Sequence, residues 1–176
     1  MGKLRAYRQY NETDVINHFK SDVVPLDNGT LVKVLSGIKA NDDNWLMIGA
    51  PGAVYGNTVS QRYSVTPSVT YANTGSVVLG MTLHDVRETD ENGENLKFNP
   101  RKAAEMQVVL TGQAVPIVTR GIFHISGVGG NPVAGAKAYL DDYLGNGKIA
   151  TTGLTQVGQF LGVKDADGFV FFRLDV

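Results

Sequence analysis

The sequence predicts a mostly β protein, a compact antiparallel β-sandwich or barrel, and three observations predict it. From Gly29 onward, short runs rich in Val, Ile, Thr and aromatic residues are punctuated by Gly, Asn, Asp and Pro, the pattern of strands joined by tight turns. Glycine is frequent, with 21 residues among 176, roughly 12% against about 7% in average usage. Charged residues make up only 19% of the chain, below the roughly 25% of ordinary domains, so the protein needs many turns and shows little charged surface.

The expected strands, in order, cover residues 30–38, 45–50, 62–72, 76–86, 106–112, 114–126, 136–144, 159–165 and 169–176. In the first, Thr30, Val32, Val34 and Ser36 alternate with Leu31, Lys33 and Leu35. Neither set is purely polar, so both faces of this strand should be at least partly covered. Pro67 and Pro116 fall inside expected strands, and because proline cannot donate to a ladder each implies an edge or a bulge.

Residues 84–105 interrupt the β pattern with ten charged residues in twenty-two and read as a solvated insertion. Within them Asn92-Gly93 is a tight-turn signal, and Asn99-Pro100 supplies an N-cap and an N1 proline for a short helix. The first 28 residues differ again. Leu4, Tyr7, Tyr10, Val15, Ile16 and Phe19 are apolar or aromatic without strict alternation, and Asn11 with Asp14 suggests a cap for a brief helix. This stretch is expected to be an extended arm lying on its own domain or on a neighbouring subunit. A length of 176 residues suits one domain, here an arm over 1–28 and a single β domain over 29–176.

A formal charge of −1 gives no global field toward nucleic acid or an anionic membrane. The chain has no cysteine, which removes disulfides, thiolate nucleophiles and Cys-based zinc sites. Neither a signal-peptide core nor an apolar run of about 18 residues occurs, so a protein that stays soluble where it is made is expected.

The residue types that carry chemistry do not form a catalytic pattern. His18, His84 and His124 show no metal-ligand spacing and read as isolated surface or core histidines. Residues 126–130 (SGVGG) resemble a dinucleotide loop but are followed by Pro132 and short β runs, and the glycines up to Gly135 miss the phosphate-loop spacing at Lys137. They read as a glycine-rich turn between strands. Asp165-Ala166-Asp167-Gly168 echoes the opening of a calcium loop but leads straight into a strand, so it reads as a hairpin turn. Asp141 and Asp142 are adjacent carboxylates, yet neighbours in a strand point to opposite faces and cannot converge on one substrate. No catalytic, cofactor-binding or metal-binding residue is assigned, and a non-enzymatic protein is expected.

The C-terminal stretch carries a TRGIFHISG strand, an NPVAGAKAYLDD element, a VGQFLGVKDADG approach to a hairpin and a closing hydrophobic strand. With the opening YRQYNETDVINHFKSDVVPLDNGTLVKV, it resembles the decoration, or cement, proteins of tailed-bacteriophage heads. The likeness covers roughly the first 40 and last 60 residues, and its features are mostly turn and strand chemistry. The resemblance implies a structural virion protein on the capsid surface, made in the host cytoplasm. It also implies major capsid protein subunits as partners and a homo-oligomer, a trimer or dimer, with no direct nucleic-acid or membrane contact. On that view Leu4, Tyr7, Tyr10, Val15, Ile16 and Phe19 would contact a neighbouring subunit, and removing residues 1–25 would leave a folded module that no longer attaches. Two alternatives stand beside it. One is a receptor- or carbohydrate-binding β module of a phage tail or fibre, with Trp45, Tyr55 and Tyr63 as stacking candidates; the other is a small oligomeric β enzyme.

Overall fold

The computed structural model describes residues 4–37, 67–141 and 146–176. The expected strand over 45–50, the aromatics Trp45, Tyr55 and Tyr63, and Asp142 lie outside them. The described residues are mostly β, as the sequence predicts.

The strands are β1 (Leu4–Gln9), β2 (Val15–Ile16), β3 (Lys20–Ser21), β4 (Leu31–Ser36), β5 (Ser68–Tyr71), β6 (Gly80–Thr82) and β7 (Val86–Arg87). After helix α1 (Pro100–Glu105) come β8 (Val109–Leu110), β9 (Ile117–Val118), β10 (Arg120–Ile125), β11 (Lys137–Leu140), β12 (Ile149–Ala150), β13 (Gln156–Phe160) and β14 (Val170–Asp175). One six-stranded sheet has the order β1-β10-β14-β13-β11-β12, a second has β2-β9-β6-β4-β5-β3, and β7 and β8 form a two-stranded ribbon. Neighbours in the two large sheets are antiparallel except β3 with β5, and β7 with β8 are also parallel.

The inner face of the first sheet is an aromatic wall. Phe123, Phe172 and Phe160 stand opposite one another on β10, β14 and β13, all wholly buried, with the Phe123 and Phe172 rings 6.1 Å apart. They join one core with Leu31, Met81 and Val118 of the second sheet. Such interdigitation of inward residues is what holds two sheets as a sandwich. Gly158 lets β13 and β14 approach closely, since a Cβ there would meet the Arg173 carbonyl.

The second sheet is buried on both faces. Val32, Val69 and Ile117 point away from the first core into another, where Phe19, Leu26, Val86 and Val115 cover them. The expectation that both faces of β4 are covered holds at Leu31 and Val32, while residues 34–36 are exposed. The cover comes from the stretch expected to be an arm and from the two ends of the 84–115 region. Leu26 and Val86 lock the two together, each N–H donating to the other's carbonyl at 3.1 and 2.7 Å.

The first 28 residues are therefore built into the domain. β1 is an edge of the first sheet, pairing Leu4 with Ile125 and Gln9 with Ile122, while β2 and β3 are the two edges of the second. The physical reason is burial: widely spaced apolar residues reach down onto an uncovered sheet face, which needs no alternation. The brief helix after Asn11 reduces to a 3₁₀ turn over Glu12–Asp14 with no side-chain cap, and Val15 already leads into a strand.

Residues 84–105 are less fully solvated than their charge suggests, because Val86 and Leu96 are buried. Gly93 takes the turn at φ +83°, and Pro100 stands at the start of α1 after Asn99, as expected. Proline again marks boundaries: Pro67 precedes β5, opposite an irregular register between Val34 and Ser36, and Pro116 precedes β9. The expected strand 114–126 is two strands, β9 in the second sheet and β10 in the first. The chain crosses between sheets at Thr119, whose N–H and Oγ1 both donate to the Asp14 carbonyl at 2.9 and 3.2 Å.

Candidate functional site

Strand alternation divides β14 sharply: Val170, Phe172 and Leu174 are buried, while Phe171, Arg173 and Asp175 are exposed. Opposite partners in an antiparallel ladder project to the same side, so the register defines the outer face of the first sheet. Phe171 lies opposite His124 and accepts a backbone hydrogen bond from Leu161 at 2.8 Å. The next row runs Ile122, Arg173, Gln159 and Lys137. Apolar side chains remain open on this side, with Phe171 38% and Leu161 44% exposed.

One end of the face is a compact aromatic and ionic cluster. His124 is buried although it points outward, because Phe171 stacks on it at 4.2 Å and 8° and Phe169 lies 5.2 Å away. The Arg5 guanidinium sits 3.9 Å from the Phe169 ring centroid, a cation–π contact. It also reaches Asp167 at 2.6 Å and Asp165 at 3.6 Å, so β1 is pinned to the β13–β14 connection. That connection is the expected hairpin turn: Asp165 Oδ1 accepts from the N–H groups of Asp167 and Phe169 at 3.0 and 2.7 Å. Its carboxylates are engaged by Arg5, and His124 Nε2 lies 3.6 Å from Asp165.

The other sequence candidates fall elsewhere. Leu4 is buried in the core between the sheets, with Val15 packed against it, and Phe19 is buried in the second core, with Ile16 packed against it. Tyr10 stacks on Phe123 at 6.0 Å. Tyr7 lies within β1, its side chain outside the described ones. The six residues expected to meet a neighbour are thus spread over two sheets, and those buried cannot reach one in this conformation.

His18 is exposed and far in sequence from partly exposed His84. Among the described residues no three His, Asp or Glu side chains are grouped to hold a metal ion, and no helix is long and apolar enough to cross a membrane. The glycine-rich stretch after β10 is a loop leading to β11, tied down by Lys164 Nζ, which donates to the Val128 and Gly130 carbonyls at 2.8 and 2.6 Å. Its carbonyls face a cation, the reverse of the N–H groups a phosphate cradle presents. Asp141 is buried at the end of β11.

A carboxylate and an ammonium in the 84–105 region perturb each other. Lys102, hydrogen-bonded to Asp90, holds that carboxyl below the usual carboxylate range and outweighs its burial, while the N–H groups of Glu94 and Asn92 add to the effect. The same bond holds the Lys102 ammonium above its ordinary value. This is a structural pair that fastens α1 to the Asn92-Gly93 turn. No family model matches the chain, and no curated protein matches it.

Proposed function

We propose that the chain is a structural virion protein that binds the outer surface of a phage capsid and stabilises contacts between major capsid subunits. In this reading it performs no bond-making chemistry, associates as a homo-oligomer, a dimer or trimer, and contacts neither nucleic acid nor membrane. The observation that carries the reading is the outer face of the first sheet. Exposed Phe171 and Leu161 lie there beside Ile122 and Arg173, and aromatic residues and arginine are the types enriched where proteins contact one another. The aromatic wall beneath keeps the face rigid, so little ordering entropy is lost on docking. With the N-terminal stretch folded into the domain, the capsid contact moves from that stretch to this face. The resemblance in the N- and C-terminal sequence supplies the partner.

Electron microscopy of purified particles tests it. The expected result is density for this chain at repeated outer positions, with the β10–β14–β13 face toward the shell. Particles without it, from cells that contain the chain, would overturn the proposal.

A further inference from the structure

Where the two sheets meet at one end, three loops enclose a cleft of about 240 Å³. One wall is the entry to β4, at Asp27 and Thr30, with Tyr71 of β5; another is the exit of β10, from Ile125; the third carries Asn146 and Lys148. Backbone hydrogen bonds sew these walls together. Leu31 N–H donates to Gly147 O at 2.7 Å, Gly147 N–H to Ala72 O at 3.1 Å, and Gly129 N–H to Ile149 O at 2.9 Å. The cleft is therefore preformed, which lowers the ordering cost of occupancy.

Its polar groups divide into those spent on the fold and those left over. Tyr71 Oη donates to the Pro25 carbonyl at 3.2 Å, and burial and the neighbouring Asp27 push the phenol up, so it keeps its proton. Asp27 is bonded to Arg87, which also lies 3.5 Å from Asp85. The Thr30 hydroxyl, in a residue only 9% exposed, makes no hydrogen bond among the described residues, nor do the Asn146 amide and the Lys148 ammonium. Buried hydroxyls are nearly always paired, so Thr30 marks a place for a partner.

We infer that this cleft is a binding site for a single neutral, hydroxyl-rich ring, such as one hexose unit of a glycan. Three observations select that class. The volume lies below the roughly 300–1,000 Å³ of sites for larger cofactors, which suits one ring. The unspent groups combine donors (Lys148, Asn146, Thr30) with acceptors (Asn146, Thr30), and hydroxyls are the ligand groups that satisfy both. The local charges cancel, Asp27 and Asp85 against Arg87 and Lys148, so the site does not favour an anion. Ile125, Val128 and Ile149 supply apolar surface for the C–H side of such a ring. This site lies apart from the outer sheet face and stands independently of the capsid reading.

The test is titration of the ¹⁵N-labelled full chain with methyl glucoside, methyl galactoside and methyl mannoside, with methyl glucuronoside and inorganic phosphate as charged comparisons. At least one neutral glycoside should give saturable shifts at the amides of Thr30, Gly127 and Lys148, with a dissociation constant in the range of about a millimolar. Thr30→Val and Lys148→Met should each weaken binding about threefold to tenfold. Asn146→Trp, at an exposed position that does not threaten folding, should block it. Absence of shifts up to about 50 mM, shifts centred on another surface, or binding of the two anions alone would each overturn the inference.

Discussion

Leu31 and Val32 are consecutive in β4, and each is wholly buried in a different core. Ile117 and Val118 in β9 repeat the arrangement. The second sheet therefore needs a cover as much as it needs the first sheet, and Phe19 and Leu26 provide it. Phe19→Ala should cost about 3–5 kcal/mol of unfolding free energy, read from urea titration. Removal of residues 1–25 should abolish the cooperative transition, since it takes away β1, β2, β3 and Phe19 together. A truncated chain that unfolds with unchanged midpoint would show that the cover is dispensable.

This arrangement explains what was legible in the sequence. Turns with their own chemistry were: Asp165 and Gly168 closing a hairpin, Asn92-Gly93, and Asn99-Pro100 opening α1. So was β14, whose alternation is strict over six residues. The two-residue strands β2, β3 and β12 were not, because a pair of residues carries no period and forms only where a neighbouring strand waits. β13 spans Gln156–Phe160, earlier than the expected 159–165, because Gly158 reads as a turn residue when it is a point of close strand approach. The split of residues 114–126 was equally hidden, since β-rich character continues unbroken while the chain changes sheets. For the outer face, the signal is the alternation of Phe171 and Arg173 with Phe172, which marks an open side of the strand but does not by itself distinguish it from any other solvated strand face.

Gly158 and Gly162 offer a matched pair. A Cβ at Gly158 collides with the Arg173 backbone, whereas at Gly162 nothing lies within 4 Å. Gly158→Ala should destabilise by about 1–3 kcal/mol, and Gly162→Ala should stay within about 0.5 kcal/mol of the parent. Thermal or urea unfolding of both variants checks the contrast, and equal effects would remove the close-approach explanation.

Asp90 and Lys102 set a pH dependence. The folded carboxyl is held below its ordinary value of about 3.9, so its contribution is full above that value and lost as the pH falls through the lowered one. Lys102 acts in the other direction, contributing below about pH 10.4 and losing its part only as the pH rises through its raised folded value. Amide exchange at Asn92 and Glu94, corrected for intrinsic rates, should show protection that falls on acidification below about pH 4. Asp90→Asn should flatten that acid dependence. Protection unchanged to the acid limit of folding would mean the pair does not hold the turn.

Phe171 and Leu161 separate folding from attachment. Both are partly exposed on the outer face while their neighbours Phe172 and Phe160 are wholly buried, so Leu161→Ser should change stability by no more than about 0.5 kcal/mol, whereas Phe171→Ser also gives up the stack on His124 and should cost about 0.5–1.5 kcal/mol. If this face meets the capsid, an aromatic anchor on it should contribute about 2 kcal/mol or more to binding, a loss of roughly thirtyfold in affinity on truncation. Co-sedimentation of each variant with undecorated particles reads this directly. Reduced attachment, with an unfolding curve unchanged for Leu161→Ser and only slightly shifted for Phe171→Ser, is the expected pair of results. Undiminished attachment by the double variant would move the contact to another surface, and a large loss of stability would mean that these side chains serve the fold.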